Sequence, residues 1–109
     1  MVDIFGLRTC DTCRAADKAL RAAGLDVTFR DVREAPLSGA EIAALHQAFG
    51  DDLVNRRSTS WRGLSEAERA GEPQALLAAH PTLMKRPVIR RGDVLTLGWD
   101  AAARAPHLG

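Results

Sequence analysis

The sequence predicts an α/β domain in which a mixed β-sheet carries a helical insertion just before a C-terminal β-hairpin. Three observations point there. Residues 2–32 read as strand, loop, helix and strand at the spacing of a crossover connection. Two Ser-x-x-Glu helix starts occupy the middle of the chain, and near its end Gly92-Asp93 separates two short apolar runs. At 109 residues the chain has the size of one domain spanning residues 1–109. Folding at that length buries roughly 60–70% of the unfolded surface, enough for a core that needs no disulfide or metal.

Each element has a local cause. Val2-Asp3-Ile4-Phe5 alternates as a short strand stopped by Gly6, and a loop through Leu7-Arg8-Thr9 leads to Cys10-Asp11-Thr12-Cys13. Ala16, Leu20 and Ala23 then recur at helical spacing opposite Arg14, Asp17, Lys18 and Arg21, with Gly24 at the helix end. Val27 to Val32 alternates as a second strand, parallel to the first if the helix crosses over. Ser38-Gly39-Ala40-Glu41 is a capping box ahead of the apolar stripe Ile42, Leu45 and Phe49. The stretch Val54 to Gly63 lacks periodicity and reads as a donor-rich loop. Ser65-Glu66-Ala67-Glu68 is a second capping box, and Pro73 suits the first turn of a helix ending before Pro81. Val88-Ile89 and Val94 to Leu97 form the hairpin, and Asp100 caps a short last helix through Arg104. This order is that of a thioredoxin-like sheet with a helical insertion. That fold places a cis-proline where Arg86-Pro87 stands, and proline is the residue for which a cis bond is energetically modest.

Fifteen basic against fourteen acidic side chains leave a formal charge of +1, so no global field draws the chain to nucleic acid or an anionic membrane. The aromatic residues are few, Phe5, Phe29, Phe49, Trp61 and Trp99, which argues against a base-stacking surface. There is no signal-peptide pattern at the start and no run of about 20 apolar residues. The cytoplasm is therefore the expected compartment, where two cysteines are more commonly redox-active than structurally cross-linked; the chain is expected to be a monomer.

Cys10 and Cys13, three apart at the junction of loop and helix, can lie on one side of the first turn. Free N–H groups and the helix dipole there favour thiolate over thiol, with Arg8 and Arg14 able to add to the effect and Asp11 opposing it. The first cysteine is the expected nucleophile and the second the resolving thiol. A closed zinc site needs about four ligands, whereas no second CxxC or paired-histidine motif is present. His46, His80 and His107 read as isolated solvated or hydrogen-bonded side chains, and no metal is expected. Arg56, Arg57 and Arg62, with Lys85 and Arg86, could form a carboxylate- or oxyanion-binding patch if both segments fold toward the cysteines.

Cys10-Asp11-Thr12-Cys13, Asn55 to Arg62, and His80 to Ile89 followed by Leu97-Gly98-Trp99 together resemble the arsenate reductase (ArsC)/Spx family, especially its YffB-type members. The resemblance covers nearly the whole chain and implies a thioredoxin-like fold. It makes Cys10 the nucleophile, Arg86 the arginine preceding a cis-proline, and Arg57 the loop arginine of the YffB and Spx branches. Thr12 and Pro87 complete the expected substrate set. Glutathione is the implied co-substrate, with no cofactor bound, and the substrate is a small disulfide or oxyanion. Two features differ from glutaredoxin-dependent arsenate reductases: their loop arginine is here Asn55, and the arginine after their last strand is absent from Leu97-Gly98-Trp99. A thiol–disulfide reductase is thus expected ahead of an arsenate reductase. The CxxC also resembles the redox switch of Spx, which binds the RNA polymerase α subunit. Spx-type regulators continue into a charged tail, so that role is the lesser expectation.

Overall fold

The computed structural model describes residues 1–108 and resolves into two compact units, Met1–Ala35 with the segment from Arg86 onward, and Pro36–Lys85. In the first unit, strands β1 (Val2–Gly6), β2 (Val27–Asp31), β3 (Val88–Arg91) and β4 (Val94–Leu97) form one sheet in the order β2-β1-β3-β4. Helix α1 (Asp11–Ala22) crosses from β1 to β2, which makes those strands parallel. β3 runs antiparallel to β1 and pairs with β4 through the Gly92 turn, where φ is +60°. The mixed sheet, its crossover helix and the closing hairpin are the thioredoxin-like arrangement that the element order predicts.

Strand alternation decides which side chains form the core. Val2 and Ile4 point to the face covered by α1 and pack with Ala16, Leu20, Val27 and Ile89, all buried. Leu25, Phe29, Trp99 and Leu108 pack around them. Asp3 points the other way and is bonded at 2.9 Å to Arg90, its register partner on β3. Ala23, expected in the buried stripe of α1, is instead the exposed C-cap, with Gly24 after it at φ +83° ending the helix. Helix α6 (Ala101–Leu108) is capped by Asp100, whose Oδ1 accepts from Ala103 N–H at 2.9 Å. It continues past the expected end at Arg104, with Pro106 inside its last turn.

The second unit contains α2 (Gly39–Phe49), α3 (Thr59–Arg62), α4 (Glu66–Arg69) and α5 (Pro73–Ala79), with short 3-10 turns at Gly50–Leu53 and Pro81–Leu83. Both capping boxes form, on Ser38 with Glu41 and on Ser65 with Glu68. Ile42, Leu45, Leu53, Leu76, Leu77 and Leu83 are among its buried aliphatics. The donor-rich stretch expected to be loop contains one helical turn, α3, because Ser58 accepts the Trp61 N–H as an N-cap. A turn of four residues is too short to show a period. No helix among the described residues is long and apolar enough to cross a membrane.

Candidate active site

β1 ends at Gly6, and Leu7 to Cys10 form a β-turn closed by a 3.1 Å bond from Cys10 N–H to the Leu7 carbonyl. Cys10 is the N-cap of α1, with extended backbone (φ −87°, ψ 120°), and its carbonyl accepts from Arg14 N–H at 3.0 Å. Its side chain caps nothing and is half-buried, whereas Cys13, one turn on, is fully buried against Gly6. Spacing alone put both sulfurs near one helix terminus; the fold gives them unequal environments.

The two thiols are consequently pulled apart in acidity. Partial burial works against a Cys10 thiolate, but the Cys13 N–H, the Cys13 thiol and the Arg86 guanidinium all donate to it. Together they hold its pKa below the ordinary thiol value. Cys13 is pushed up to about 12, first by burial and then by donating to the negative Cys10 sulfur; its hydrogen bond with Leu7 and the Arg86 charge only partly offset this. Cys10 is the more acidic of the two sulfurs, and Cys13 keeps its proton while Cys10 is charged.

Arg86 reaches Cys10 from the segment entering β3, and the Arg86-Pro87 bond is cis, as the fold reading expects. Pro87 is fully buried, and its carbonyl accepts from Gly98 N–H at 2.8 Å, tying the entrance of β3 to the exit of β4. Thr12 is exposed in the first turn of α1. Arg57 belongs to the second unit, where its N–H donates to Asn55 Oδ1 at 3.0 Å. Near it, Trp61 is stacked by Arg56 and Arg69, with guanidinium carbons 5.4 and 5.9 Å from ring centroids. Arg8 and Arg14, expected to add charge beside the thiolate, are engaged elsewhere. Arg14 bonds Asp11 at 2.8 Å, and Arg8 lies over the Phe29 ring at 5.4 Å. Within the first unit the structure therefore joins Cys10, Cys13 and Arg86. Among the described residues no cluster of three or more histidine, cysteine or acidic side chains could hold a metal ion.

One residue beside the cysteine loop has no counterpart in the sequence reading, which takes Asp31 only as a position in an alternating strand. Its buried carboxylate accepts three backbone N–H bonds, from Arg8 at 2.9 Å, Arg33 at 2.9 Å and Glu34 at 3.3 Å. Burial opposes its ionisation, but those donors and the Arg33 charge prevail and hold its pKa below the usual carboxylate value. The available signal is an aspartate at a strand end, where the side chain can accept from the backbone two residues on as in an Asx-turn; the long-range bond to Arg8 has no signature in sequence.

The model of the ArsC family matches residues 5–105. An uncharacterized protein of Haemophilus influenzae is 34% identical over 108 residues, covering 92% of either chain. The solved structure of the YFFB protein superposes with a TM-score of 0.89 over 100% of both chains, at 26% identity. The solution structure of an arsenate reductase (ArsC) related protein from Brucella melitensis has a TM-score of 0.74 at 31% identity, covering 93% of this chain and 88% of that one.

Proposed function

The chain belongs to the ArsC family, and on that premise we propose that it is a glutathione-linked thiol–disulfide reductase of the cytoplasm. The Cys10 thiolate attacks the glutathione sulfur of a mixed disulfide, the Cys10–glutathione bond forms, and the substrate thiolate leaves and takes a proton from water. A second glutathione thiolate then attacks the glutathione sulfur of that adduct, giving oxidised glutathione and restoring Cys10. Alternatively, Cys13 loses its proton and attacks Cys10 Sγ, releasing glutathione and leaving a Cys10–Cys13 disulfide for an external thiol to reduce. In the first route one glutathione thiol is consumed for each substrate thiol released, the other half of the oxidised glutathione coming from the mixed disulfide itself; in the second, the Cys10 and Cys13 thiols supply the two electrons, which external thiols then restore. The observation that carries this reading is the split between the sulfurs, with Cys10 lowered and Cys13 pushed up to about 12.

That split also supports an order of events. While Cys10 is anionic its charge helps keep Cys13 protonated; once Cys10 is in a mixed disulfide that charge is gone, and Cys13 ionises more easily. Arg86 is assigned to a carboxylate of glutathione, with Thr12 and the Pro87 backbone bordering the bound tripeptide; Arg57 is assigned to glutathione binding by resemblance alone. The test is turnover of a glutathione mixed disulfide by the purified protein, run beside arsenate with glutaredoxin and beside a pull-down of RNA polymerase α. Activity on the first alone supports the proposal. Arsenate turnover without disulfide reduction would move the assignment to an oxyanion reductase, and α-subunit capture without any turnover would move it to a redox-switched binding protein.

A further inference from the structure

The turn from Leu7 to Cys10 is the only covalent link between the sheet and the N-terminus of α1, so its conformation sets where Cys10 Sγ stands relative to its three donors. In a β-turn closed between the first carbonyl and the fourth N–H, the second residue's N–H points outward without a partner in the turn. Here that residue is Arg8, and its N–H is taken by Asp31 Oδ2 at 2.9 Å, from a position 23 residues along the chain. The other oxygen, Oδ1, serves the chain after β2, accepting from Arg33 and Glu34. Two further bonds bind the same pair of segments, Val32 N–H to the Gly6 carbonyl at 2.9 Å and Arg33 Nη2 to Thr9 Oγ1 at 3.0 Å.

We propose that Asp31 is a positioning residue for the nucleophile, its Oδ2 holding the turn that places Cys10 at the head of α1. The role rests on the reading of Cys10 as the attacking sulfur. The division of labour between the two oxygens makes it separable. Asp31→Asn retains one carbonyl oxygen, which stays with the two donors Arg33 and Glu34, and turns an NH₂ toward the Arg8 N–H. The variant therefore loses the bond to the cysteine loop while keeping the turn after β2. With its anchor gone the loop loosens, and Cys10 meets the Cys13 N–H and Arg86 for a smaller fraction of the time.

The test follows alkylation by iodoacetamide against pH in the wild-type chain and in Asp31→Asn, with peptide mapping to separate adducts on Cys10 and Cys13. In the asparagine variant the midpoint of Cys10 alkylation is expected to rise by about one pH unit. Near pH 7 the rate falls only about three- to fourfold, because a thiolate of higher pKa is rarer but more nucleophilic. Turnover of the mixed disulfide should fall with it. A role confined to stability would lower the thermal midpoint and leave the pH midpoint of Cys10 in place, which would overturn the proposal. So would loss of the folded state in Asp31→Asn, since the Oδ2 bond is assigned to the loop and not to the sheet. The underlying reading fails separately: if wild-type Cys10 is not alkylated before Cys13, the nucleophile is misassigned whatever Asp31 does.

Discussion

A β-carbon on Gly6 would stand 2.5 Å from Cys13 Sγ and 3.2 Å from Cys13 Cβ, so the last residue of β1 fits the buried sulfur only because it has no side chain. Phe29 closes the same space, its Cζ 3.7 Å from that point. Because the atoms in the way belong to a fully buried residue, they have little room to yield. Gly6→Ala should therefore destabilise the chain by about 1–3 kcal/mol, the usual cost of overpacking. A domain of this size then melts about 4–8 °C lower per kcal/mol, which a calorimetric scan reads directly. A midpoint equal to wild type would mean that Cys13 is not packed against β1.

The unequal thiols predict unequal chemistry. Near neutral pH Cys10 should be alkylated first and Cys13 scarcely at all, since one is held below the ordinary thiol value and the other pushed up to about 12. Incubated with a glutathione mixed disulfide, Cys13→Ser should accumulate protein glutathionylated at Cys10. Cys10→Ser should remain unmodified. Intact-mass spectrometry distinguishes the adducts, and full turnover by Cys10→Ser would remove Cys10 from the mechanism.

Arg86 stabilises the Cys10 thiolate by both hydrogen bond and charge. Replacing it with alanine should raise the pH at which Cys10 reacts and lower glutathione-dependent turnover about tenfold or more, the loss of one charge-assisted contact of roughly 1.5–3 kcal/mol. Arg57→Ala should raise KM for glutathione without moving the pH midpoint of Cys10, because only substrate binding is assigned to it. Stopped-flow rates across pH, compared with steady-state KM, separate the two roles. If both variants keep wild-type kinetics, neither guanidinium belongs to the site.

Much of this arrangement is legible in the sequence because it is written in short-range patterns. The two capping boxes, Pro73 in a first turn, Gly92 in the hairpin and the crossover spacing between β1 and β2 are local rules, and each appears where it points. The cysteine pair is legible for the same reason, since the helix begins between its members. Strand order is not local, and the place of β1 between β2 and β3 emerges only from the fold. The bonds of Asp31 to Arg8 and of His107 to Thr96 are not legible, because they join residues 23 and 11 apart in the chain and no spacing rule connects them. Arg8 and Arg14 illustrate the converse: proximity in sequence suggested that they act on Cys10, yet Asp11 and the Phe29 face compete for them.

His107 fixes the last turn of α6 to the hairpin, and its protonation state governs that attachment. With the proton on Nε2 it donates to Thr96 Oγ1 at 2.8 Å, while Nδ1 accepts from Arg91 Nε at 3.4 Å. Arg91 also donates to the Pro106 carbonyl. Burial, and then the Arg91 charge, lower the pKa of His107 below its ordinary 6.5. A second proton would have to enter at Nδ1, facing an N–H that already points at it. The unfolded chain carries an ordinary histidine, so between 6.5 and the lower folded value the unfolded state binds more protons. Stability from this residue is thus complete above about 6.5 and is lost as pH falls through that window. Urea unfolding at steps from about pH 7.5 to 5, above the range in which ordinary carboxylates titrate, should show a decline that His107→Gln flattens, because glutamine can still donate to Thr96 but does not titrate. An equal slope in both proteins would show that the α6 attachment does not depend on a neutral His107.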